Sequence, residues 1–292
     1  MTDNLTLPEA ALWLRLSERA LYALARAGRV PAAQVGGKWI FPRALLTRWL
    51  AAEAEPALGT PPAPPPIVAG SHDPLLDWAV RESGSRLAVL SGGSLAGLEA
   101  LAEGRAIIAA THVLDPDSGG FNEAAARDAL GVRPAVGIVW AWRDQGLILP
   151  TGNPRRLARV EDLVAGDIRV IGRQPRAGSH VLMLHLLTEA GLRLDQINLL
   201  PTPAMAEDEV AAAVAEGRAD AGFGILAEAA RRGLAFVPLL RERFDLAMGL
   251  RSYFEPAFQA LLGFTRGETF RRRAAAMGGY DIGEIGRVAF LL

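Results

Sequence analysis

Cysteine is absent from all 292 residues. That removes disulfides, thiol nucleophiles and cysteine-ligated zinc or iron–sulfur sites together. Lysine is nearly absent: Lys38 is the only one among 31 basic residues. A Walker A loop would have to use it, and the glycine required five positions before Gly37 is Ala32, so a P-loop NTPase is excluded. The longest apolar run, Ala135 to Trp142, falls far short of the roughly 18 residues that span a bilayer, so no membrane partner is expected. The start, Met1-Thr2-Asp3-Asn4, has neither a basic leader nor a cleavable apolar segment, and a cytoplasmic location is expected. What is present is a chain 50% hydrophobic and 22% charged, enough apolar side chain for large cores. Its length predicts two or more domains.

The net charge of −1 is unevenly placed. Residues 1–52 carry seven basic against three acidic side chains, a net +4, which leaves −5 for the remainder. Between them, residues 53–66 hold six prolines in fourteen positions. Such a segment neither completes a β-ladder nor continues a helix, so it is predicted to be an extended linker. A basic head beside an acidic body points to a phosphate-bearing partner at the head.

In the head, Thr6-Leu7-Pro8-Glu9 has capping-box spacing and predicts a first helix to about Leu16, with Leu12 and Leu16 on its apolar face. Ser17 caps a second helix whose Leu21 and Leu24 face inward, and Gly28 stops it. Gly36-Gly37 supplies a tight hairpin between Ala33–Val35 and Trp39–Phe41. A third helix from Pro42 through Leu50 is expected to close the core with Leu45, Leu46, Trp49 and Leu50.

These motifs, with Gly-Arg-Val-Pro at 28–31 and Val-Gly-Gly-Lys-Trp at 35–39, resemble the excisionase and MerR-type winged helix-turn-helix module. The resemblance implies double-stranded operator DNA as a partner. Ser17, Glu18, Arg19 and Tyr22 then lie at the exposed start of the recognition helix, Arg26 one turn on, and Lys38 at the wing tip. Arg43 completes the DNA-binding set. A module of this size makes few contacts alone, so a homodimer on two half-sites is expected.

The body alternates period-two runs with amphipathic helical runs from Ile67 onward, the pattern of an α/β fold. Strand-to-helix junctions at Gly70-Ser71, Gly92-Gly93-Ser94 and Ala177-Gly178-Ser179 present hydroxyls and backbone N–H groups at helix starts, and Thr111 ends another strand. Each is also an ordinary N-cap composition. Three histidines follow a hydroxyl residue, His72, His112 and His180, whereas His185 is expected in the core.

The segments AGSHDPLLD (69–77), SGGSLAGLEALAEGRAIIAATHVLDPDSG (91–119), QGLILPTGNP (145–154), GRQPRAGSH (172–180) and VAAAVAEGRADAGFGI (210–225) resemble the type II periplasmic-binding-protein-like domain of cytoplasmic regulators. The resemblance implies a two-lobed α/β domain over 67–292, with lobe I at about 67–137 and 241–292 and lobe II at about 138–240. It implies a small anionic effector of the molybdate or tungstate type, held by hydroxyls and amides, and no cofactor, metal or catalytic residue. The candidate ligand contacts are Ser71, His72, Gly93, Ser94, Thr111, His112, Arg176, Gly178, Ser179 and His180. The 176–180 loop reads Arg-Ala-Gly-Ser-His where relatives carry a Gly-Ser-Gly-Thr-Arg type, and a later Thr-His pair is replaced near Ala206-Glu207. Together these features predict a one-component transcription regulator, not an enzyme. The alternative is an enzyme or small-ligand carrier whose head serves as an interaction module.

Two further patterns are discounted. Gly222 to Ala227 fits a loose G-x-G-x-x-A but lacks the surrounding βαβ unit. Gly92 to Gly97 misses nucleophile-elbow spacing by one residue.

Overall fold

The computed structural model describes residues 4–54 and 63–292 and divides into two compact units, Met1–Ala63 and Pro64–Leu292. Most of the proline-rich linker expected at 53–66 lies outside the described residues.

In the first unit, β1 (Asn4–Thr6) leads into α1 (Leu7–Leu14), with Pro8 in its first turn. The Glu9 carboxylate accepts from the Thr6 backbone N–H and hydroxyl at 2.8 and 2.7 Å, fixing the helix start. Ser17 Oγ accepts from Ala20 N–H at 3.2 Å and opens α2 (Glu18–Arg26). The hairpin β2 (Ala33–Val35) and β3 (Lys38–Pro42) turns through Gly36-Gly37, and α3 (Arg43–Ala54) follows. β1 was not anticipated; it pairs with β3 to make a three-stranded sheet in the order β1-β3-β2.

The core of this unit is Ala10, Ala11, Leu21, Ala25, Val30, Phe41 and Leu46. Four leucines expected inside are not: Leu12 is 81% exposed, and Leu16, Leu45 and Leu50 are also on the surface. The small side chains of Ala10 and Ala11 form the buried stripe of α1, and that orientation turns Leu12 outward.

The second unit holds one mixed nine-stranded sheet. Its first strands are β4 (Ile67–Gly70), β5 (Ala88–Ser91) and β6 (Ile108–Thr111), which run parallel and are linked by α4 (Pro74–Glu82) and α5 (Ser94–Ala102). After α6 (Glu123–Leu130) comes β7 (Ala135–Leu149), one strand that extends the apolar run Ala135 to Trp142 by seven residues. Then follow β8 (Val170–Ile171), α7 (Gly178–Glu189), α8 (Glu207–Ala215), β9 (Ala221–Ile225), α9 (Leu226–Arg231) and β10 (Ala235–Gly249). The C-terminal part, α10 (Leu250–Tyr253), α11 (Pro256–Thr265), α12 (Glu268–Met277), β11 (Tyr280–Asp281) and β12 (Val288–Leu291), returns to pair with β7.

β7 and β10 pair antiparallel from Ala135↔Gly249 to Leu149↔Ala235. One end of the pair contributes Ile138, Trp140, Phe244 and Met248 to a core with α4, α11 and α12. The other end contributes Leu147 and Leu149 to a core with α7. The same two strands therefore belong to both lobes of the domain. On α7 the buried positions are 178, 179, 182, 183 and 187. His185 lies off that face and is only half-buried, a correction to its expected core position. Among the described residues no helix is long and apolar enough to cross a membrane.

Candidate ligand cleft and nucleic-acid interface

On α2 the buried residues are Leu21 and Ala25, one turn apart. Arg19 and Arg26 point away from that stripe, Glu18 and Tyr22 flank it, and all four are exposed, as are Ser17, Lys38 on the hairpin and Arg43 at the start of α3. The Arg43 guanidinium lies 5.9 Å from the Trp13 ring centroid. The helix thus presents a polar, partly cationic surface with nothing from its own unit covering it.

In the second unit the lobes meet at close quarters. A Cβ on Gly93 would lie 2.3 Å from Gln174 Nε2 and 2.7 Å from the Arg176 carbonyl oxygen. One on Gly178 would lie 2.7 Å from the His112 carbonyl oxygen. Gln174 Nε2 donates to the Gly92 carbonyl at 3.0 Å, Leu95 N–H to the Arg176 carbonyl at 3.3 Å, and Arg176 pairs with Glu99. The cleft is closed, and Arg176 sits exposed at its rim.

Inside it a continuous polar group crosses from the strand ends to β7 and β10. Ser71 Oγ lies 2.8 Å from His112 Nε2, and His112 Nδ1 lies 2.7 Å from Glu242 Oε2. A carboxylate only accepts, so Nδ1 carries a proton. Glu242 Oε1 accepts from Arg143 Nε at 2.9 Å and Gln145 Nε2 at 3.0 Å. Arg143 Nη1 donates to Asp73 Oδ2 at 3.0 Å, which also accepts from Tyr280 OH at 2.7 Å. Asp73 Oδ1 accepts from Leu76 N–H at 2.7 Å and caps α4. Burial would raise the Glu242 carboxyl, but the charge of Arg143 and the His112 contact outweigh it and hold it down to about 2.

Of the other expected contacts, Ser94 Oγ accepts from His112 N–H at 3.2 Å, and Ser179 Oγ donates to Glu207 Oε1 at 2.9 Å. Arg173 Nε lies 3.6 Å from that same oxygen. Thr111 belongs to a separate group: its hydroxyl donates to Asn122 Oδ1 at 3.1 Å, and Asn122 Nδ2 donates to Asp245 at 2.7 Å. His72 lines a cavity of about 210 Å³ with Asp77, Asp208, Glu228, Arg231 and Arg273. Its ring is raised above the ordinary range, because Asp77 outweighs the lowering by burial. His180 is half-buried, and burial lowers it. The loose glycine motif at 222–227 has both glycines inside β9 and ends in α9; a Cβ on Gly222 would strike Val210 of α8 and Ile171 of β8, so that glycine serves packing.

Sequence reasoning missed Asp73, Arg143, Gln145, Arg173, Glu207, Glu242 and Tyr280. The available signal was polarity in the wrong place. Arg143-Asp144-Gln145 interrupts the apolar run 135–149, and Glu242 and Asp245 sit within the run 235–249. Four polar atoms at or beside the cleft have no partner among the described residues: Gln145 Oε1, Arg173 Nη2, Glu207 Oε2 and, on the half-buried His180, Nδ1.

The buried carboxyls set a pH profile. Burial, only partly offset by Arg243 and Asn122, raises Asp245 from 3.8 to about 6. The folded protein therefore holds this proton more tightly than the unfolded chain. The resulting stability is complete below pH 3.8 and lost as pH rises through about 6. Its size is on the order of 3 kcal/mol. Glu242 acts oppositely: its contribution is present above 4.5 and lost as pH falls toward 2. Urea unfolding across pH should show a loss between 3.8 and 6 that Asp245→Asn removes. The acid limb below 4.5 should remain in that variant. A wild-type profile without the upper loss would refute the assignment.

A model of the PBP superfamily domain matches residues 77–266, and a helix-turn-helix domain model matches residues 5–54. The uncharacterized protein YvgK of Bacillus subtilis is 26% identical, with 98% of each chain covered. Among solved structures, the sulfate-binding protein SubI from Mycobacterium tuberculosis superimposes with a TM-score of 0.52 at 19% identity, over 73% of this chain and 85% of that one. A hydrogen peroxide-bound cysteine-to-serine variant of OxyR from Corynebacterium glutamicum reaches 0.50 at 14% identity, over 93% and 89%. These two likenesses are of fold alone.

Proposed function

The chain belongs to the PBP superfamily domain family and carries an N-terminal helix-turn-helix domain, and from that premise we propose a one-component transcription regulator. The head binds operator DNA as part of a homodimer in the cytoplasm. The two-lobed domain binds a small anion between its lobes, the molybdate or tungstate type being the one the sequence resemblance implies. Occupancy of the cleft shifts operator affinity.

The observation that carries the DNA side is the uncovered side of α2, where Arg19, Tyr22 and Arg26 stand exposed together beside the buried stripe of Leu21 and Ala25. On the effector side, the starts of α5 and α7 and the buried Arg173 all border the cleft. The Ser71, His112 and Glu242 series favours the enzymatic alternative in outline, since a hydroxyl, an imidazole and a carboxylate in sequence can activate a nucleophile. Two features count against it. Ser71 is 2% exposed, and Glu242 also holds the charge of Arg143. We read the series as orienting Ser71 and His112 for binding.

The test is DNA affinity measured against salt. Arg19→Ala and Lys38→Ala should each weaken binding by about tenfold and reduce the salt slope by about one. Unchanged affinity and slope in both variants would remove the basis of the reading. An effector should shift operator affinity by about 5- to 150-fold.

A further inference from the structure

The unpartnered atoms at the cleft define a chemistry narrower than "small anion". Gln145, Arg173 and Glu207 are all at most 3% exposed, and buried polar atoms left without partners are rare and costly. These three belong to one circuit of contacts. Arg173 and Ser179 both approach Glu207 Oε1, and Glu207 Oε2 lies 3.2 Å from where a Cβ on Gly224 would stand. The Glu207 charge acts on Arg143, and the Arg143 guanidinium and the Gln145 amide both donate to Glu242. Gln145 Nε2 donates to Glu242, and Glu242 holds His112. The His112 ring lies beside Gly178, and Gly178 precedes Ser179. The circuit closes where the two lobes meet.

The direction of each free atom is settled by its neighbour. The Glu242 carboxylate can only accept, so the Gln145 amide must turn its NH2 toward it and leave Oε1 as an acceptor. Ser179 donates to one Glu207 oxygen, and the other is left accepting. Arg173 Nη2 can only donate. The set is two acceptors, one on an acidic side chain, and one cationic donor, with the His180 Nδ1 nearby able to act in either sense. A fully deprotonated tetrahedral oxyanion such as molybdate, tungstate or sulfate brings acceptors alone. It would satisfy Arg173, leave both acceptors empty and bring like charge against Glu207.

We propose that the effector is a small acid that retains a hydrogen-bond donor of its own, with its anionic oxygen on Arg173 Nη2 and its O–H or N–H toward Glu207 Oε2 and Gln145 Oε1. Monohydrogen phosphate and small hydroxy acids share this chemistry. The inference rests on the cleft being the effector site, and it replaces the molybdate type with a protonated one.

The test is calorimetry on the full chain near neutral pH and at constant ionic strength, with probes differing in the donor: phosphate against sulfate and molybdate, and glycolate against acetate. The two pairs separate an inorganic from an organic source. We expect at least one donor-bearing probe to bind, and to bind about tenfold or more tightly than its matched partner. Glu207→Gln should narrow that gap, because an amide can donate to a bare oxyanion. Sulfate, molybdate or acetate equalling its partner on the wild-type chain overturns the proposal, as does no binding by phosphate and glycolate. An unchanged gap in a folded Glu207→Gln variant also overturns it. The wild-type comparison decides the matter even if the variant fails to fold. If donor-selective binding occurs without any change in DNA affinity, the regulator reading fails and this inference stands. If molybdate alone changes DNA affinity, the reverse holds.

Discussion

Replacing Arg143 with leucine should cost about 3–5 kcal/mol of stability, since it leaves buried carboxylates without their counter-charge. Asp73 and Glu242 are both fully buried and both bonded to this guanidinium. Burial works against the charge on Arg143, and the two acids outweigh it, raising its affinity for the proton above the ordinary value. The guanidinium also packs 4.3 Å from the Phe244 ring centroid. Because the residue lies on a strand shared by both lobes, the loss should appear as one cooperative destabilisation in urea. Arg143→Leu combined with Glu242→Leu should cost clearly less than the two single changes summed, since the pair is removed together. Additive losses, or a single-variant loss below about 1 kcal/mol, would show that the network contributes little.

Gly178→Ala should hold the cleft open. Gly178 has an ordinary helical backbone at the start of α7, so alanine adds no conformational strain. Its methyl would nevertheless stand 2.7 Å from the His112 carbonyl oxygen and 2.8 Å from the ring carbon Cε1. Those atoms belong to His112, the residue directly after β6, which cannot yield without disturbing Ser71 and Glu242. Overpacking of this kind costs about 1–3 kcal/mol, and separation of the lobes relieves it. The closed form should therefore lose population by about 5- to 150-fold. Small-angle scattering should report a larger radius of gyration for the variant, with an unfolding transition close to wild type. An unchanged radius would mean that the closed contact tolerates the methyl.

The legible features were local ones. The box Thr6 to Glu9, the cap at Ser17 and the glycine pair at 36–37 act within four residues, so their chemistry can be read without knowing the fold. The same holds for Ser71, Ser94 and Ser179, whose placement at strand-to-helix junctions follows from the runs on either side. Leu12 and His185 went wrong for one reason: helical periodicity defines a face but not which face the neighbours cover. The missed side chains failed differently. Glu242 lies 130 residues from His112 and 99 from Arg143. In sequence each reads as a break in an apolar strand.

From the amino-acid order alone follow the two-part organisation, the helix-turn-helix with its exposed polar second helix, and the α/β character of the body, because capping, periodicity and charge clustering are short-range. Tertiary structure alone decided which polar groups share the cleft and which stay unpaired. Joining β7 to β10 along their whole length brings Arg143, Gln145 and Glu242 into one buried group, and closing the lobes sets Gly178 against His112. Burial without water is what makes each donor and acceptor count, and burial is a property of the folded arrangement rather than of any residue.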